Sequence, residues 1–480
     1  MTSAALPLSG WATTRALCTD LDGTLISTDL LWESLLSAVR RRPWVLLWVP
    51  LWLLRGRPIL KHELARASNV DFATLPYRPA VLQLLTDAHR DGRRVVLATA
   101  SDRLLADGVA AHLGCFHEVH GSDGITNLKG SAKAALLLER FGAKNYDYIG
   151  DSRADVPCWR SAHDALCVGP VPDRTLTQVK TIDGVVSDRA SQGRLLLRAL
   201  RPHQWLKNLL LAVPAVAAHA FAIPVLAPLA LAMVSLSLCA SGGYVLNDLL
   251  DLTADRRHPR KRRRPFAAGL LPLAVGVAAL AACWIAGFGI AAAFLPPQFL
   301  FITAFYVVST ASYSLWLKQE PVLDVMFLAG LYVVRVVGGG YATGVPVSNW
   351  LLAFTLFICL ALAFQKRFVE ARAQADAHAR IPGRGYTSDD LRLLESAGLT
   401  SAYLSSLVLA LYVNSTDVTR LYAHPDRLLL MCPVLLYWST RSWLAASRGQ
   451  MHDDPLVAVT SDPITYVLLV LSIAIVVVAA

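Results

Sequence analysis

The chain predicts two folds in series: an N-terminal α/β domain built on a parallel sheet, then a C-terminal all-α polytopic membrane domain. Three observations lead there. Up to about residue 198, short β-branched runs such as Arg94 to Ala98 and Tyr146 to Gly150 alternate with amphipathic stretches, the strand and helix rhythm of a parallel sheet. After Arg201, apolar segments separated by short polar loops recur to Ala480, about nine of them against the ~20 residues a span requires. A balance of 55% hydrophobic to 17% charged residues is too apolar for an average soluble enzyme. The change of texture near Ala190 to Leu200 divides the chain into domains at 1–198 and 199–480.

The formal net charge of +10 does not point to nucleic acid, because the basic residues cluster beside hydrophobic runs, where cytoplasmic loops meet anionic lipid and anionic substrates. No nucleic acid is therefore expected among the partners. Arg256 to Arg264, Lys318, Gln365 to Arg380 and Arg441 to Arg448 fall on one side when the spans are numbered from a cytoplasmic N-terminus, and an odd number of spans leaves Ala480 on the other. No basic stretch followed by an apolar run opens the chain, so no cleaved signal peptide is expected and the first domain is expected in the cytoplasm, at the inner (plasma) membrane. The eight cysteines are scattered without metal-ligand spacing and read as small core residues in a reducing compartment. The composition leaves a homo-oligomer open.

Within the first domain, Pro43 to Leu54 carries Trp44, Trp48 and Trp52 between Arg40, Arg41, Arg42 and Arg55, Arg57. It is too short to span. Tryptophan with cationic flanks predicts an interfacial segment, the alternative being a hairpin buried against the rest of the domain.

Asp20-Leu21-Asp22-Gly23-Thr24-Leu25 follows an apolar run, which places two carboxylates at the C-terminal end of a strand, where open α/β sheets put their ligand sites. One carboxylate can attack phosphorus and the other can protonate the leaving group. Thr99 ends the second strand-like run, Lys133 begins an amphipathic helix, and Gly150-Asp151-Ser152-Arg153-Ala154-Asp155 ends another strand with two acids four apart. Together they offer a hydroxyl and a cation for phosphate oxygens and acids for a magnesium ion.

These four motifs, in order over about 170 residues, resemble the haloacid dehalogenase superfamily, with its Rossmann-like fold and helical cap. The resemblance implies Asp20 as nucleophile, Asp22 as acid/base, Thr99 and Lys133 as phosphate binders, and Asp151 with Asp155 around Mg2+, where Asp20 and Asp22 also count as ligands. Lys129 is the alternative lysine. A second aspartate argues within that family for phosphate chemistry, since a dehalogenase has no alkoxide to protonate. The insertion at about 26–93 takes the place of the cap, and its tryptophans suggest a lipid-linked phosphate as substrate.

At the end of the second span, Asn247, Asp251 and Asp255 repeat at i, i+4 and i+8 beside Asp248, sharing one face if the helix continues. Carboxylates beside a bilayer are costly unless they hold cations, and Mg2+ on a diphosphate accounts for them better than a solvated loop. His258-Pro259-Arg260-Lys261-Arg262-Arg263-Arg264-Pro265 adds bases next to the acids. This pattern resembles the UbiA superfamily of intramembrane prenyltransferases. Arg201 to Asn208, the His258 to Pro265 string, Tyr313 to Lys318 and Asp453-Asp454-Pro455 look like its decaprenyl-phosphate phosphoribosyltransferase branch.

That branch implies phosphoribosyl pyrophosphate (PRPP) as donor and polyprenyl phosphate as nucleophile. Asp248 and Asp251 then act at the donor, Asn247 with Asp255 completes the motif, and Lys207, Lys261, Arg264 or Lys318 holds the lipid phosphate. Asp324 is the candidate second acid, with Arg335 beyond it; Lys366, Arg367 and Glu370 follow the sixth span, and core pairing explains Arg335, Lys366, Arg367 and Glu370 equally well. The PRPP loop of soluble phosphoribosyltransferases is absent, and no second DxxxD stands near Asp324. Consecutive transfer and dephosphorylation would make a lipid-linked ribose or arabinose donor. The alternative is ordinary transfer from a prenyl diphosphate, with an independent or regulatory phosphatase-like domain.

Overall fold

The computed structural model describes residues 14–169, 179–182, 189–373, 385–415, 418, 421–451 and 462–479. The Asp453-Asp454-Pro455 run, Ala480 and the later part of the Gln365 to Arg380 loop lie outside them. Two compact units emerge: residues 1–199 with 248–278, and residues 200–247 with 279–480.

In the first unit, β1 (Ala16–Thr19) leads through α1 (Leu30–Arg41), α2 (Val45–Arg55), α3 (Arg57–Ala67) and α4 (Pro79–Arg90) to β2 (Val95–Asp102). Then follow α5 (Arg103–Leu113), β3 (Glu118–Ser122), α6 (Ser131–Phe141), β4 (Tyr146–Gly150), α7 (Val156–Ser161), β5 (Ala165–Val168), β6 (Val179–Ile182) and α8 (Arg189–Leu200). The six strands are all parallel in the order β3-β2-β1-β4-β5-β6. Alternation feeds two cores: Leu17 packs on one face with Val95, Leu97 and Ile149, and Cys18 on the other with Val96, Ala98 and Tyr148. The chain reverses direction across the sheet between β1 and β4, so the ends of those two strands frame the crevice where such sheets bind ligands.

β2 runs on through Asp102, which places Thr99 inside the strand rather than at its end. The pairing with β3 shifts register between Ala98 and Asp102, and this irregularity lets the strand continue past its apolar run. The 26–93 insertion is helical, but Val81, Leu84, Leu85 and Ala88 of α4 belong to the sheet's own core, joined there by Leu30 of α1 and Ala65 of α3, while Ala38, Val45, Leu60 and Leu64 of α1 to α3 form a cluster of their own. Of the tryptophan segment, Val45 and Trp52 pack against Ala38, Leu60 and Leu64. Trp44 and Trp48 are more than half exposed, and Leu47 and Leu54 more so.

In the remainder, seven helices are long and apolar enough to cross a membrane among the described residues: Ile223–Leu250, Leu273–Phe294, Pro297–Leu315, Leu323–Thr343, Asn349–Arg372, Leu391–Val413 and Pro425–Ser447. The segment before the first forms a 3₁₀ helix, Pro202–Ala212, and a short α-helix, Val213–Ala217. Pro202 opens the first piece and Pro214 stands second in the other, in keeping with the missing amide of proline. Pro463–Ala479 is apolar but has only 17 residues. These two segments account for the difference from nine.

Candidate active sites

The crevice between β1 and β4 gathers the phosphatase-like residues in the first unit. Lys133, 1% exposed on the first turn of α6, reaches Asp20 Oδ2 at 2.8 Å and Asp155 Oδ1 at 3.1 Å. Tyr148 of β4 closes the group, accepting from Lys133 at 2.8 Å and donating to Asp155 Oδ1 at 2.7 Å. Asp155 Oδ2 accepts from the amides of Asp151 and Ser152 at 3.3 and 3.2 Å, so its carboxylate is held on both sides. Thr24 donates to Asp151 at 3.2 Å. Gly23 has φ +75°, and a Cβ there would run into the Asp151 carboxylate; only glycine lets the loop after β1 pass so close to the end of β4.

Asp22 is bound differently. Its Oδ1 accepts the Leu30 amide at 2.8 Å, at the start of α1, and its Oδ2 accepts the Ser101 hydroxyl. Thr99, fully buried, accepts the Ser101 amide at 3.0 Å. Ser101 and Tyr148 escaped the sequence reading because each is an ordinary strand residue in sequence.

The electrostatics separate the two aspartates of the loop. Burial raises the Asp20 carboxyl to about 6 against the opposing pull of Lys133. Burial, then the Asp29 carboxylate, raises Asp22 to about 8, so at neutral pH Asp22 keeps a proton and Asp20 is largely ionised. Burial raises Asp151 to about 7, with Asp20 and Asp155 adding to it. Asp155 is held below the usual carboxylate range: its burial works the other way, and Lys133 outweighs it.

Oxygens from Asp20, Asp151 and Asp155 lie within 4.8 Å of one another, a hard-oxygen donor set that suits Mg2+. Asp22 is outside this set, its oxygens turned to Leu30 and Ser101. Of the two candidate lysines, Lys133 meets the acids, while the Lys129 amide donates to the Asn127 carbonyl at 2.8 Å.

The membrane-side motif has another construction. The helix Ile223–Leu250 ends before Asp251, which sits at φ −99°, ψ 13°, and helix resumes over Leu252–Arg257. The one-face alignment expected for an unbroken helix therefore does not hold. Arg264 Nη1 instead collects Asp248 at 3.0 Å and Asp255 at 2.7 Å, while Asp251 is held by Arg40 at 2.5 Å. Burial raises Asp255 to about 6, with Arg264 opposing. Lys261 is exposed on a 3₁₀ turn.

In the second unit, buried Lys318 donates to Asn247 at 3.2 Å, and Lys207 lies half-buried on Pro202–Ala212. Asp324 accepts from Arg367 at 2.5 Å and from Tyr386 at 2.7 Å, and Arg367 also bonds Tyr313 and Glu370. Arg335 bonds Asn208 and Tyr306, both at 2.9 Å. Asp324, Arg335, Arg367 and Glu370 are thus engaged in buried networks.

Residues 208–450 match the model of the UbiA prenyltransferase family, and residues 17–160 that of the haloacid dehalogenase-like hydrolases. Uncharacterized protein y4nM of Sinorhizobium fredii is 37% identical over 93% of this chain and 87% of its own length. Nodulation protein NoeC of Azorhizobium caulinodans is 36% identical over 55% of this chain and 86% of its own. Decaprenyl-phosphate phosphoribosyltransferase of Mycobacterium tuberculosis is 32% identical over 44% of this chain and 71% of its own. A solved UbiA homolog from Archaeoglobus fulgidus, bound to DMAPP and Mg2+, is 16% identical with a TM-score of 0.45, covering 59% of this chain and 99% of that one. Given the extent of the family match and of these relatives, the chain belongs to the UbiA prenyltransferase family, as an integral membrane protein with a haloacid dehalogenase-like domain at its N-terminus.

Proposed function

We propose that the chain is a bifunctional lipid-linked sugar enzyme of the inner membrane, its N-terminal domain cytoplasmic. The membrane domain transfers 5-phosphoribose from PRPP to polyprenyl phosphate, and the N-terminal domain removes the 5-phosphate. One observation carries this reading: a fully assembled phosphatase-like site shares a chain with a stretch 32–34% identical to decaprenyl-phosphate phosphoribosyltransferases.

In the transfer, a lipid phosphate oxygen bonds to C1 of the ribose and the C1–O bond to pyrophosphate breaks. Asp248 and Asp251, with Asn247 and Asp255, face the donor; Lys207, Lys261, Arg264 and Lys318 are the cations for the phosphates. In the hydrolysis, Asp20 attacks the 5-phosphorus and Asp22 gives its proton to the departing ribose oxygen. Asp22 then takes a proton from the water that cleaves the aspartyl phosphate. Thr99 and Lys133 bind phosphate oxygens. Mg2+, which Asp20, Asp151 and Asp155 would hold, screens phosphate charge when bound; Asp248, Asp251 and Asp255 would hold the donor's Mg2+.

The test is stoichiometry. Purified protein given PRPP, polyprenyl phosphate and Mg2+ releases pyrophosphate and orthophosphate in equal amounts, both requiring the lipid. Pyrophosphate without orthophosphate would uncouple the phosphatase; neither product, with turnover on a prenyl diphosphate, would replace the donor.

A further inference from the structure

Helix α1 begins at one acidic centre and ends at the other. The Leu30 amide donates to Asp22 in the phosphatase-like crevice. Glu33, one turn on and 6% exposed, receives both terminal nitrogens of Arg256, at 2.5 and 3.2 Å, and the Thr28 hydroxyl at 2.8 Å. The same guanidinium donates through Nε to the Ala267 carbonyl at 3.1 Å. Two turns after Glu33, on the same face, Arg40 Nη1 donates to the Leu250 carbonyl at 3.1 Å and to Asp251 Oδ1 at 2.5 Å. Arg257 adds a bond to Asp71, beyond α3. All of these residues belong to the unit made of 1–199 and 248–278.

The two Arg40 contacts sit at the break in the motif's backbone. Leu250 closes its helix, and carbonyls there have no partner in their own helix, so a guanidinium both caps the end and complements its negative dipole. Asp251 is the residue at which the helix breaks. Glu33 and Arg256 form a bidentate pair with both side chains under a tenth exposed, a contact strongly unfavourable to open from one side.

We propose that Arg40, carried by the phosphatase-like domain, is a positioning residue of the aspartate motif. It holds Asp251 and the helix end in place for the donor, with Glu33 on Arg256 as the second pin. This rests on reading the motif as the transferase's donor site. The N-terminal domain then serves the transfer as well as the hydrolysis, and α1 is the rigid element touching both.

The experiment uses full-length protein in detergent, comparing wild type, Arg40→Gln and Arg40→Lys. Three quantities are read from each preparation: label passing from PRPP to lipid, hydrolysis of p-nitrophenyl phosphate, and amide hydrogen exchange over residues 250–257. Arg40→Gln lowers transfer roughly tenfold or more, as loss of a partner orienting a ligating carboxylate does, while hydrolysis is unchanged. Arg40→Lys restores part of the transfer, and exchange over 250–257 speeds up only in Arg40→Gln. Wild-type transfer or unaltered exchange in Arg40→Gln overturns the proposal. Should wild type itself transfer no label, the PRPP reading fails and the exchange comparison alone decides Arg40. Loss of both activities in Arg40→Gln passes the decision to Glu33→Gln, in which faster exchange over 250–257 supports the two-pin arrangement and unchanged exchange overturns it.

Discussion

The crevice at the ends of β1 and β4 and the break after Leu250 both concentrate aspartates, but they neutralise them in opposite ways. In the crevice, Lys133 is the shared cation of Asp20 and Asp155, and three carboxylates remain close enough to share an ion. At the break, Arg264 and Arg40 take the acids apart, two to one and one to the other. A lysine is a compact point charge that several acids can surround, whereas a guanidinium spreads its donors in a plane and pulls carboxylates to its own geometry. The first centre therefore keeps its acids together around one cation within a packed sheet. The second is a hinge in a helix that depends on cations from elsewhere in the chain.

Substitutions can break this contrast. The largest effect is expected from Asp20→Asn, which lowers p-nitrophenyl phosphate hydrolysis on the order of ten-thousandfold or more and leaves lipid labelling intact. Hydrolysis kept above a tenth of wild type would remove Asp20 as nucleophile. Next comes Lys133→Met, which strands two buried carboxylates and destabilises the N-terminal domain by ~3–5 kcal/mol in denaturant melts. An unshifted melt would mean that the acids simply take up protons and that the lysine is not structural. Arg264→Gln should reduce transfer about 10- to 100-fold with hydrolysis unaffected, because Asp248 and Asp255 lose their common partner; equal loss of both activities would contradict the separation of centres. The smallest effect belongs to Trp44→Ser with Trp48→Ser, the two exposed tryptophans of α2. Turnover of a lipid phosphate falls a few-fold, roughly the loss of some apolar area at the interface, while a water-soluble phosphate is hydrolysed as before.

The crevice could be read from sequence because its main residues sit just after strands, and a strand's end is visible as the end of an apolar run; Asp20, Asp22, Asp151 and Asp155 were all placed this way. Thr99 was misplaced relative to its strand because an irregular pairing with β3 carries β2 past its apolar part. The membrane-side motif was visible as spacing but not as shape. Its helix ends where Arg40 binds, 211 residues away in sequence, and no local pattern records such a partner. Ser101 and Tyr148 were missed for a related reason, since a polar residue on a buried strand gains its meaning only from what lies across the crevice. The span count fell from about nine to seven among the described residues because prolines divide the first candidate and the last is short.

The most direct test of the account is to give wild type, Asp20→Asn and Asp251→Asn radiolabelled PRPP, polyprenyl phosphate and Mg2+, and to resolve the lipid products by charge. Wild type should yield a labelled lipid lacking the 5-phosphate, Asp20→Asn should accumulate the phosphoribosyl lipid, and Asp251→Asn should label little of either. No label in lipid with any of the three would contradict PRPP as the donor and return the membrane domain to prenyl diphosphate chemistry.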